Sequence, residues 1–170
     1  VQKSLEYAKI PFSSIDLGII SQELEIPENI RSIIITTERV RELSVEEVET
    51  LIHFVTKGNT IVFTGPVSHD NMGYLQGIKP NSFYSTDTTS VGVVLYDDVF
   101  PGMQEEEYLI QGMMPNFGLL GSEFKNDVNI LAGTATNPET PFIVSNRIGL
   151  GEVVTLNSYA INEKIYRGFI

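Results

Sequence analysis

A chain of 170 residues with 42% hydrophobic content is sized for one domain that buries its own core. Its 22 acidic against 11 scattered basic side chains, a formal charge of −11, argue against a nucleic-acid partner, which needs a clustered basic face. No apolar run reaches the roughly 18 residues of a membrane-spanning helix, and the absence of cysteine removes disulfides, thiolate metal sites and cysteine nucleophiles together.

Residues 1–9 read as the end of a helix, with Val1, Leu5 and Ala8 on one face. The stretch I-P-F-S-S-I-D-L (10–17) is a short strand candidate that Pro11 confines to a strand start or an edge. R-S-I-I-I-T-T (31–37) is a β-branched run apolar on both faces, the mark of a strand covered from both sides. In L-S-V-E-E-V-E-T-L-I-H-F-V-T-K-G (43–58), Ser44 and Glu47 form a capping box. Val45, Val48, Leu51, Ile52 and Val55 follow at helical spacing as one apolar stripe, with Glu46, Glu47, Glu49 and Thr50 toward water. Lys57 and Gly58 are a cationic last turn and a left-handed stop. N-T-I-V-F-T-G (59–65) is the next buried strand, which completes a strand–helix–strand crossover.

Beyond it, N-M-G-Y-L-Q-G-I predicts a short helix, the rest of 66–90 a polar loop, and V-G-V-V-L-Y (91–96) a strand. Residues 97–127 predict an irregular covering segment. V-N-I-L-A-G (128–133) returns to strand character, and 141–157 predicts a hairpin whose Gly149 and Gly151 supply positive φ. A last helix starts near Asn162. The fold class that follows is a three-layer α/β domain over residues 1–170, with a mainly parallel sheet and an antiparallel extension near the C-terminus. The chain opens within helix-like sequence and stops on an apolar residue, which predicts a segment of a longer protein.

In such sheets ligands bind beyond the carboxyl ends of the strands. Those ends supply Thr36, Thr37 and Glu38, then Thr64, Gly65, Ser68, His69 and Asp70, then Asp97 and Asp98. Ser68, His69 and an acid such as Glu38 allow a hydrolase reading. Adjacent residues rarely face each other, however, and the G-x-S-x-G elbow is missing, so a polar loop with one exposed histidine is the better reading. Asp97, Asp98 and Glu105–Glu107 lack the alternating spacing of a calcium loop and read as a solvated acidic face. No metal site or cofactor is expected: His53 sits within the helix, and no phosphate-loop motif occurs. Tyr74, Phe83, Tyr84, Tyr96, Phe100 and Tyr108 favour core positions, with Tyr74 and Tyr84 the candidates for stacking on a sugar ring.

The run from I-I-I-T-T-E-R through F-V-T-K-G-N-T-I-V-F-T-G resembles the middle of class I glutamine-amidotransferase-like domains. The nearest kind is the non-catalytic one of β-galactosidase trimerisation domains and of domains beside bacterial polysaccharide-processing modules. T-P-F-I-V-S-N-R-I-G-L-G-E-V-V-T-L-N-S resembles their closing hairpin. N-E-K-I-Y-R-G-F-I is similar to a final helix seen before polysaccharide deacetylase-like modules. Active amidotransferases carry a cysteine after such a strand; here the turn is Thr64-Gly65-Pro66, so the resemblance implies a flavodoxin-like or amidotransferase-like fold without that activity. It further implies a non-catalytic structural or interaction domain of a larger bacterial, extracytoplasmic, polysaccharide-handling protein. The partners expected are a neighbouring domain of the same chain, carbohydrate, or further copies. A small-ligand or glycan-binding module is the alternative.

Overall fold

The computed structural model describes residues 2–14, 26–36, 43–65, 70–79, 93–95, 128–134 and 141–156. Helix α1 spans Gln2–Ala8 and strand β1 Ser32–Ile35, followed by α2 (Val45–Thr56), β2 (Thr60–Phe63) and α3 (Asp70–Gln76). Four strands complete the described chain: β3 (Val93–Leu95), β4 (Val128–Thr134), β5 (Pro141–Ile148) and β6 (Gly151–Leu156). The strand candidate at 10–17 is not seen in its described part, since residues 10–14 hold no strand. Pro11, the second residue of that stretch, has no amide to give to a ladder. The expected segments at 97–127 and near Asn162 lie outside the described residues.

The strands form one sheet in the order β1-β2-β6-β5-β4-β3. β1, β2 and β6 are parallel, whereas β6, β5, β4 and β3 alternate in direction. The class is the α/β one that the sequence predicts, with a parallel part and an antiparallel part. The last hairpin does not extend an outer edge, however. It inserts β6 between β2 and β5, so the parallel and antiparallel halves meet on it.

Register assigns the faces. Ile35 pairs with Phe63, Phe63 with Thr155, and Thr155 with Val144, which places these four on one face. Both α2 and α3 pack there. Their Val48, Leu51, Phe54, Val55, Met72 and Leu75 join Ile35, Ile61, Phe63, Ile148 and Val153 in one core cluster. On the other face Val62, Ile143, Val154 and Leu156 are fully buried as well, as a sheet covered on both sides requires.

The α2 capping box forms as spelled: the Ser44 amide donates to the Glu47 carboxylate at 2.6 Å, and the Glu47 amide to the Ser44 hydroxyl at 3.2 Å. Its buried stripe is rotated from the expected one. Phe54 is buried, while Val45, in the first turn, is 55% exposed and Ile52 is half-buried. Glu47 and Thr50, expected toward water, are half-buried; Glu46 and Glu49 are exposed. Gly58 stops the helix at φ +98. Within the β5–β6 turn only Gly149 has positive φ, at +61. Gly151 serves close approach instead: a Cβ there would collide with the Val55 carbonyl oxygen. The hairpin thereby reaches the end of α2, where the Leu150 amide donates to the Thr56 carbonyl at 3.2 Å.

Candidate functional site

The carboxyl ends of β1 and β2 lie side by side. The Thr64 amide donates to the Ile35 carbonyl at 3.1 Å, which carries the ladder one residue past β2. The Thr64 side chain is fully buried, and its hydroxyl has no hydrogen-bond partner among the described residues. Gly65 follows it into the interior, and its carbonyl accepts from the Gln76 amide nitrogen at 2.9 Å. Gln76 is itself fully buried at the end of α3. The chain leaving β2 is thus tied back to the helix that follows it. Sequence reasoning missed Gln76; its signal is a polar side chain that follows the apolar Met72 and Leu75 in a seven-residue helix.

Of the other candidates, Thr36 is exposed just past β1. Asp70 opens α3. Thr37, Glu38, Ser68, His69 and Tyr84 lie outside the described residues, as do Asp97 and Asp98. The strand ends do not all gather at one place, because β3 runs opposite to β1 and β2 and finishes at the other edge of the sheet. Among the described elements, no reversal of winding is seen where β1 meets β2. Helices α2 and α3 cover the same face, whereas the crevice of a doubly wound sheet opens where successive crossovers take opposite faces.

Tyr74 is placed elsewhere, on the outer side of α3, where it is 51% exposed. Its ring lines a shallow groove of about 160 Å³ with Val45, Val48, Glu49 and Ile52 of α2. The helix beneath is tied to β5. Asn146 of β5 donates from one amide nitrogen to the Tyr74 carbonyl at 3.2 Å and to the Leu75 carbonyl at 2.8 Å. Met72 and Leu75 are buried on the inner side, so Tyr74 is turned outward.

Among the described residues, α2 carries three acidic side chains, Glu46, Glu47 and Glu49. The Glu46 carboxyl is held below the ordinary carboxylate range by a hydrogen bond from its own backbone amide and by the Ser44 hydroxyl. His53 is exposed on the same helix. Among the described residues no group of three His, Cys, Asp or Glu side chains is placed to hold a metal ion. None of the described helices is long and apolar enough to cross a membrane.

No family model matches the chain, and no curated protein matches it either. Solved structures do. A β-galactosidase from a Rahnella species superposes with a TM-score of 0.56 at 14% identity, over 82% of this chain and 21% of that one. A β-galactosidase from Bacillus circulans gives 0.55 at 16%, over 81% and 21%. An exo-β-1,4-mannosidase from an Opitutaceae bacterium gives 0.52 at 19%, over 81% and 22%. At these identities the likeness is one of fold. The chain folds like a domain of larger glycosidases and spans about a fifth of their length.

Proposed function

We propose that this chain is a non-catalytic interaction domain of a larger carbohydrate-processing protein. The observation that carries the reading is the extent of the structural match: most of this chain overlays about a fifth of several glycosidases. The end of β2 supports it, because the position where a nucleophile would stand in an amidotransferase-like elbow holds a buried threonine. The next carbonyl is engaged by Gln76. The amidotransferase-like ancestry and an extracytoplasmic setting belong to the same proposal and rest on the sequence resemblance.

Two measurements test it. The isolated domain should show no turnover of amide, ester or glycoside substrates, and turnover abolished by Thr64→Val or Ser68→Ala would overturn the non-catalytic reading. The native polypeptide, captured with an antibody to this domain and sequenced by mass spectrometry, should carry a carbohydrate-active module on the same chain. A neighbour of unrelated chemistry would overturn the carbohydrate reading.

The Tyr74 groove favours a second reading, a glycan-binding module. On it, calorimetry with galacto- and manno-oligosaccharides should show saturable binding, weakened about tenfold or more by Tyr74→Ala, as loss of a stacking face implies. Flat titrations across the panel would exclude it.

A further inference from the structure

We draw no further inference here: the strongest candidate, the shallow groove that Tyr74 of α3 lines with Val45 and Ile52 of α2, belongs to the glycan-binding reading already given, and nothing in the structure shows what else covers it.

Discussion

At the scale of single residues, the informative groups are buried polar ones. The Thr64, Ser145 and Thr155 hydroxyls are all buried with no partner among the described residues, and a buried unpaired hydroxyl opposes folding by roughly 1–3 kcal/mol. Thr64→Val has nearly the same shape and should therefore leave the urea midpoint unchanged or raise it. A clear loss of stability would mean that the hydroxyl has a bonded partner in solution. Glu46 behaves in the opposite sense. Its carboxyl titrates lower folded than unfolded, so its contribution is present above the ordinary carboxylate range and is lost as pH falls through the depressed value. The side chain is exposed and the effect correspondingly small. Denaturation midpoints of the wild type and Glu46→Gln should converge below that range and separate above it.

At the scale of elements, the junction between α2 and the final hairpin carries the most constraint. The end of α2 is closed by three groups. Asn59 donates its side-chain amide to the Phe54 carbonyl at 3.0 Å, Gly58 donates its backbone amide to Val55, and Leu150 donates to Thr56. Gly151 lets the hairpin approach this closely. Gly151→Ala should cost about 3 kcal/mol, since a methyl placed against backbone cannot be relieved by a rotamer change. Gly149→Ala should also destabilise, through its positive φ and a Cβ 2.9 Å from the Thr56 backbone. Chemical denaturation checks both, and a neutral Gly151→Ala would show that the hairpin packs on α2 more loosely. The G-x-G signal was legible as a turn. Its second glycine was not legible as a helix contact, because that role depends on a helix nearly a hundred residues earlier.

At the scale of the whole molecule, β6 is the element on which the fold depends. It pairs with β2 on one side and β5 on the other, and Val153, Val154, Thr155 and Leu156 are fully buried. Val154→Lys should abolish folding, since an uncompensated charge there has neither water nor a partner. Ile130→Lys, at a β4 position 37% exposed beside a register shift, should shift the thermal midpoint by a few degrees at most. Circular dichroism distinguishes the two, and a folded Val154→Lys would contradict the central placement of β6.

What the sequence determined by itself is local. The Ser44–Glu47 box, the Gly58 stop, the β-branched run of β1, the short α3 and the closing hairpin are each specified by neighbours within a few residues, through capping hydrogen bonds, backbone sterics and hydrophobic period. The candidate site was legible only in part: Thr64 and Gly65 were found as a strand end, whereas the buried Gln76 that ties Gly65 back to α3 was not. Tertiary structure alone decided the rest. It seated β6 between β2 and β5, sent β3 in the opposite direction, put both α2 and α3 on one face, and paired Tyr74 with Val45 across two helices. Each of these depends on which apolar faces cover one another, and contacts between residues far apart in the chain leave no periodic trace in it.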